Sequence, residues 1–225
     1  MARTKTIYLP PGRLRAWADR FAAEHGDPLC EVNSPKPGSG VVLSCPDGFA
    51  VRLRLPWEQL TPALAVDAWP EQLAAAAASI GTCGLILLRR GGYSVGTSVQ
   101  GQLTWSKSGT RYVQSRTAAG GWSQQRYARR RSNQADALVL TAAEYAAGHL
   151  PAAKPSCLAT GGDKDMLRQL LADARLAGLA ALPAAHLELN ADPRQRQLAE
   201  VARELAGIKA VITWPTPGHN SETAG

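Results

Sequence analysis

The chain is poor in the residues on which much small-domain chemistry draws. Its 225 residues include four cysteines, four histidines, two methionines and two phenylalanines. Cys30, Cys45, Cys83 and Cys157 form no C-x-x-C pair, and no histidine stands at finger spacing from them. Neither a zinc site nor a disulfide framework is therefore expected, and the thiols read as free and buried. The scattered His25, His149, His186 and His219 suggest no metal cluster or catalytic base. No run of about 18 uninterrupted apolar residues exists, which argues against a membrane span. The nearest candidate, Leu73 to Leu88, is broken by Ser79, Gly81, Thr82 and Gly84. The amino terminus lacks an apolar block of signal-peptide length, so the expected compartment is the cytoplasm.

The most informative absence is of negative charge. Between Glu71 and Asp136 no carboxylate occurs, while Arg89, Arg90, Lys107, Arg111, Arg116, Arg126, Arg129, Arg130 and Arg131 all fall there. These nine cations exceed the net charge of +7 for the whole chain, so the remainder carries a slight excess of acid. A solvated helix face usually mixes both signs, whereas a stretch purged of carboxylates points to a polyanionic partner, nucleic acid first.

What is present divides the chain into a small α/β section over 1–80, a larger α/β domain over 81–215 and a flexible tail over 216–225. In the first section, Thr4–Leu9 reads as extended. Pro11 opens a helix whose Leu14, Trp17, Ala18 and Phe21 share a face and which ends at Gly26. Val41 to Leu55 alternates around Pro46-Asp47-Gly48 as a hairpin, and Glu71 to Ser79 reads as a helix. From Cys83, CGLILLRR is a buried strand, followed by GYSVGTSVQ, GQLTWSKS and TRYVQSR as successive strands, with Gly101 and Ser108-Gly109 as turns. PSCLAT, a helix from Gly162 or Asp163 to about Ala177, AAHLELN, a helix over Pro193 to Leu205, and GIKAVITW complete a βαβαβ pattern. Together these predict a mixed sheet flanked by helices.

Between these halves, Thr117 to Trp122 is too rich in alanine and glycine to continue a strand. Ser123 could cap a helix running from about Gln124 to Ala147. Tyr127, Arg131, Gln134, Leu138, Ala142 and Tyr145 would share one side of it, and Arg126, Arg129, Arg130 and Asn133 another, cationic one. Such a connector is common, and glutamines at a helix start often simply face water. But helix N-termini favour carboxylates, and here glutamines and arginines stand instead. That composition suits an incoming phosphate or a developing oxyanion. Trp122 is placed either to stack on a base or ribose or to pack down.

Arg111-Tyr112, then Gly120-Gly121-Trp122-Ser123-Gln124 and a polar helix, resemble the catalytic loop of the Vms-like release factors, in particular their actinobacterial branch. These peptidyl-tRNA hydrolases of ribosome quality control are related to the middle domain of eukaryotic and archaeal class I release factors. Gly121-Trp122-Ser123-Gln124 matches the Gly-x-x-Gln spacing of that branch, and Gly161-Gly162-Asp163-Lys164 is similar to the strand-to-helix turn in the second half of the same domain. Asp163 capping a helix is also sufficient reason for that turn. The resemblance covers about Cys83 to Trp214. It implies an RNase H-like mixed sheet and hydrolysis of the ester between a nascent peptide and tRNA, on a large ribosomal subunit left after a stalled ribosome has split. The chain would act as a monomer and without metal or organic cofactor.

On that resemblance the catalytic residues are Gln124, with Gly120 and Gly121 before it. Gln125 follows directly, so either glutamine could be the catalytic amide, with Gln124 preferred on spacing. Arg111, Arg116, Trp122, Arg126, Arg129, Arg130 and Arg131 would contact rRNA or tRNA. A non-catalytic RNA- or ribosome-binding module using the same basic helix is the main alternative. A metal-dependent nuclease would need clustered carboxylates on the central strands, and none stands between Cys83 and Arg116.

Overall fold

The computed structural model describes residues 3–33, 40–110 and 122–215, with the side chains of Asn33, Glu58 and 122–133 outside the description. Two compact units emerge, one from residues 1–79 and 204–225, the other from 80–203.

The first unit is built on an antiparallel five-stranded sheet, with strands β1 (Thr4–Leu9), β2 (Leu29–Asn33), β3 (Gly40–Ser44) and β4 (Ala50–Arg54). The fifth strand comes from the far end of the chain, and the spatial order is β1, fifth strand, β4, β3, β2. Alternation decides which face is buried. The rows Ile7–Ala210–Leu53–Val41 and Ile212–Val51–Leu43–Cys30 face a core filled by Leu14, Trp17 and Phe21 of α1 (Leu14–His25) and by Trp69, Leu73 and Ala77 of α2 (Trp69–Ala78). The β3–β4 connection is the expected turn. Gly48 takes φ +84°, and the Asp47 carboxylate accepts from the Phe49 N–H at 3.1 Å. Trp57 is fully buried, and its indole N–H donates to the Leu205 carbonyl at 3.3 Å, which meets the need of a buried indole for an acceptor.

The second unit holds a mixed sheet of β5 (Cys83–Arg89), β6 (Gly92–Val99), β7 (Gln102–Thr110), β8 (Cys157–Gly162) and β9 (Ala184–Leu187). The order is β7-β6-β5-β8-β9, with β5, β6 and β7 antiparallel and β5, β8 and β9 parallel. Central β5 is buried from Cys83 to Leu88, as a strand covered on both faces should be. Its Ile86 and Leu88 join the core beneath α3 (Trp122–Ala153) and α4 (Lys164–Leu171). Gln100 and Gly101, both at positive φ, make the two-residue β6–β7 turn, the backbone twist that hairpins favour. The register slips between Thr97 and Ser98. The extra residue, Thr104, is tied down by hydroxyl contacts to Thr97 Oγ1 (2.8 Å) and the Thr97 carbonyl (3.2 Å). A hydroxyl pair, buried Ser94 with half-buried Ser108 at 2.8 Å, lies further along the same two strands.

Several expectations need correction. Ser108-Gly109 is not a turn: β7 runs on to Thr110, and Gly109 is there because the Tyr93 ring occupies the space a Cβ would take. What was read as a further strand, TRYVQSR, lies outside the described residues beyond Thr110. α3 starts at Trp122, so Ser123 is inside the helix rather than capping it, and the helix extends through Pro151 to Ala153. The helix expected to reach Ala177 stops at Leu171, and a 3-10 turn (Ala174–Leu176) and a short α5 (Ala177–Ala180) follow. Leu29–Asn33 is a strand that had no alternating signal strong enough to read.

The largest difference concerns the end of the chain. The strand GIKAVITW was expected to close the second domain, within 81–215. Instead β10 (Ile208–Thr213), following α6 (Gln195–Leu205), pairs with β1 along six residues and with β4 along five, in the first sheet. Periodicity identified the strand, but nothing local specifies which sheet receives a strand whose partner is about 200 residues away.

The two classes of α3 and β5 position should differ sharply in unfolding experiments. Ile86→Ala, at a fully buried site, should cost about 2–5 kcal/mol. Leu140→Ala, at a position 64% exposed on α3, should stay within about 0.5 kcal/mol. Urea midpoints of the two variants give the comparison.

Candidate functional site

The sequence placed its chemistry on the chain leaving β7 and on the helix that follows. α3 is anchored by one stripe. Leu138, Ala142, Ala146 and Leu150 recur every fourth residue, with Val139 and Ala143 beside them, and all are buried. They meet Ile86 and Leu88 of β5, Tyr93 and Val95 of β6, Met166, Leu167 and Leu170 of α4, and Leu176. Aromatic contacts extend the anchor toward β7. Tyr93 stacks on Tyr145 with centroids 6.0 Å apart, Lys107 lies 5.2 Å over the Tyr145 ring, and Trp105 stacks on His149 at 3.7 Å.

The described core contacts of α3 begin at Ala135. From Trp122 to that point the helix advances about 20 Å at 1.5 Å per residue. Gln124, Gln125, Arg126, Arg129, Arg130 and Arg131 are all carried on this length, together with Trp122. No carboxylate stands in the first turn, so the N–H groups there have no acid of their own turn to cap them. Of the remaining predicted residues, Gly120, Gly121, Arg111 and Arg116 lie outside the described residues, as do the side chains at 122–133. Leu138, Ala142 and Tyr145 take the packed side as expected, with Gln134 half-buried near its start.

Three cations of the acid-free stretch are already engaged in holding the unit together. Arg89 donates to the Leu189 carbonyl at 2.9 Å and lies 3.9 Å from Asp192, and exposed Arg90 sits 4.0 Å from Asp163. Lys107 covers Tyr145. The excess charge therefore divides between strand ends, where it is spent on local partners, and the loop and α3.

The supports of α3 have their own caps. The Asp163 carboxylate accepts from the N–H groups of Asp165 (3.1 Å) and Met166 (3.2 Å), which starts α4 as its sequence suggested. Gly162, at φ +105°, is required before it because a Cβ would strike the Leu88 carbonyl. Asp173 caps the turn that carries Leu176. Hydrogen bonds from the Arg175 side chain and its backbone N–H hold the Asp173 carboxyl down at about 2.

Sequence reasoning missed the Trp105–His149 and Lys107–Tyr145 contacts. Alternation along β7 puts Trp105 and Lys107 on one side, but their partners on α3 are about forty residues away and carry no local signal. The cysteines form no disulfide. All four are free, with Cys45, Cys83 and Cys157 buried and Cys30 half-buried. Cys83 and Cys157 are direct neighbours on parallel strands. Their mutual hydrogen bond, with burial, pushes the Cys83 thiol far up. Among the described residues, no three His, Cys, Asp or Glu side chains converge as a metal-binding set, and no helix is long and apolar enough to cross a membrane.

Comparison with known proteins gives three findings. A family model described as Actinobacteria/chloroflexi VLRF1 release factor matches residues 81–209, more than half of the chain. No curated protein matches. Among solved structures, the chain is similar to an archaeal translation termination factor, aRF1, at a TM-score of 0.39 and 13% identity, over 92% of this chain and 68% of that one.

A depressed folded-state pKa makes Asp173 stabilising above the ordinary carboxylate range, and that contribution is lost as pH falls toward about 2. Acid titration of stability should therefore be steeper between about pH 4 and pH 2 for wild type than for Asp173→Asn. Circular dichroism melts at stepped pH measure this, and parallel curves would contradict it.

Proposed function

Because the chain belongs to the Actinobacteria/Chloroflexi VLRF1 release factor family, we propose that it is a peptidyl-tRNA hydrolase. It would cleave the ester joining a nascent chain to tRNA on large ribosomal subunits left by stalled, split ribosomes. The family match carries the reading. It spans β7, the Gly-x-x-Gln segment and α3, and so takes in residues 81–135 of the stretch that carries no carboxylate. The strand order β7-β6-β5-β8-β9, with one antiparallel and one parallel half, supports an RNase H-like description of this unit.

The chemistry follows from residue type. An amide has no useful pKa and cannot serve as a general base as histidine or glutamate does. The Gln124 side chain instead orients a water toward the ester carbonyl, and its backbone N–H donates to the oxyanion of the tetrahedral intermediate. Gly120 and Gly121 let the main chain enter a crowded RNA cavity without side chains. Arg111, Arg116, Arg126, Arg129, Arg130 and Arg131 neutralise rRNA and tRNA phosphates, and Trp122 stacks on a base or ribose. Gln125 is the second candidate for the amide. The protein acts in the cytoplasm as a monomer, with the large subunit and peptidyl-tRNA as its partners and no bound cofactor.

Large subunits loaded with peptidyl-tRNA distinguish this from a module that only binds. Wild type should release free peptide. Gln124→Ala should release it about a hundredfold or more slowly while co-sedimenting equally. Full activity in both Gln124→Ala and Gln125→Ala would refute the glutamine assignment, and binding without release by wild type would establish the non-catalytic alternative. Subunit affinity should also fall steeply with salt, and Arg129→Ala or Arg130→Ala should each flatten the log–log slope by about one unit.

A further inference from the structure

The family match begins at residue 81, so it leaves the first four strands and the first two helices without a role. Both helices of that unit, α1 and α2, pack on one face of its sheet. The opposite face is made of the alternate rows. One runs Tyr8–Lys209–Arg54, the next Thr6–Val211–Arg52–Val42–Glu31, and the third Thr4–Thr213–Ala50–Ser44–Leu29. No side chain of these rows belongs to the buried core. Arg52, Thr4, Thr6, Ser44 and Leu29 are exposed, and Tyr8, Arg54 and Lys209 are half-buried.

The composition of this face departs from that of an ordinary solvated sheet. Its three cations are grouped on the adjacent strands β4 and β10. Lys209 stands directly opposite Arg54, and Arg52 is one pleat further along the same strand, about 7 Å away. A tyrosine flanks them in the same row, and hydroxyl side chains fill much of the rest. Glu31 lies on the edge strand β2, and Glu204 acts on Tyr8 from just before β10. Large apolar anchors of the sort that dominate protein interfaces are few here: two valines inside the rows and Leu29 at the margin.

We propose that this face is a binding surface for single-stranded RNA, with Arg52 and Lys209 against phosphates and Tyr8 stacked under a base. Sheets that read single strands combine these elements. Cations track the backbone, an aromatic ring offers a platform that any base can use, and hydroxyl groups answer the sugar and phosphate oxygens. An acidic protein segment would satisfy the cations but leave the ring without a use.

The test uses the full chain in an Arg129→Ala/Arg130→Ala background, so that α3 does not mask the effect. A fluorescein-labelled single-stranded 12-mer RNA serves as the probe, followed by anisotropy at stepped salt. Arg52→Gln/Lys209→Gln should weaken binding about tenfold or more and flatten the salt slope by about 1.4. Tyr8→Ala should weaken it about tenfold, while Tyr8→Phe and the charge-preserving Arg52→Lys/Lys209→Arg should bind as the background does. A 4-thiouridine version of the probe should crosslink to the β1 peptide containing Tyr8. Unchanged unfolding temperatures show that the variants fold. Gln124→Ala should bind this RNA normally, because the surface does not depend on the ester chemistry. Unaltered affinity and slope in both the double variant and Tyr8→Ala would overturn the proposal. So would displacement of the RNA by polyglutamate of equal charge together with indifference to Tyr8→Ala, which would indicate a surface for acidic proteins.

Discussion

Small side chains allow α3 to lie close against the second sheet, and this contact governs the direction of the whole helix. Ala142, Ala143 and Ala146 are buried between Leu138, Val139 and Leu150. They bring the helix near enough for Ile86, Leu88 and Val95 to fill the space beneath it. An α-helix of 32 residues is a rod of about 48 Å, hydrogen-bonded turn to turn from its start to the approach of Pro151 near its end. Fixing one half therefore fixes where the other half points. The apolar stripe ends where the polar and cationic sequence begins, so the described core contacts of this element are confined to its part from Ala135 onward.

The same division explains the secondary contacts around it. Stripe positions bury only one side of α3, and the Tyr145 and His149 side is closed by Trp105, Lys107 and Tyr93 from β6 and β7. Asp163 and Asp173 then fix the two turns that present Met166, Leu167 and Leu176 to the helix. Each cap offers a carboxylate to exposed N–H groups, the use of acid that helix starts favour. The first turn of α3 holds no carboxylate, and it is the start attached to the Gly-x-x-Gln segment.

How much of this could be read from the sequence depended on the range of the interaction. Local patterns were dependable. The Pro46-Asp47-Gly48 turn, the buried run of β5, the Gly101 turn and the Leu138/Ala142 face all stand as the periodicity predicted. The misreadings arose where a distant residue overrode a local rule. Gly109 reads as a turn until Tyr93 is found lying across it, and β10 reads as the last strand of the nearest domain until its pairing with β1 is seen. For the candidate site, residue types and charge were visible in the sequence. What was not visible was the anchorage of α3, which requires β5, β6, β7 and α4 to meet on one side of it.

That anchorage also bears on why the acid-free stretch is so long. A carboxylate held on a rigid rod cannot move away from an approaching phosphate, and the penalty grows where RNA excludes water and lowers the effective dielectric. Purging acid from the loop alone would leave the first turns of the helix repelling the same partner. The strands that feed the loop are subject to the same field. There Arg89 and Arg90 draw their counter-charges from Asp192 and Asp163, residues that come after the stretch in sequence. The chain thus keeps its structural ion pairs while leaving the segment between β5 and the middle of α3 without a negative side chain. A neutral amide at the start of such a helix fits that constraint, since it can hold water without adding the charge that everything around it excludes.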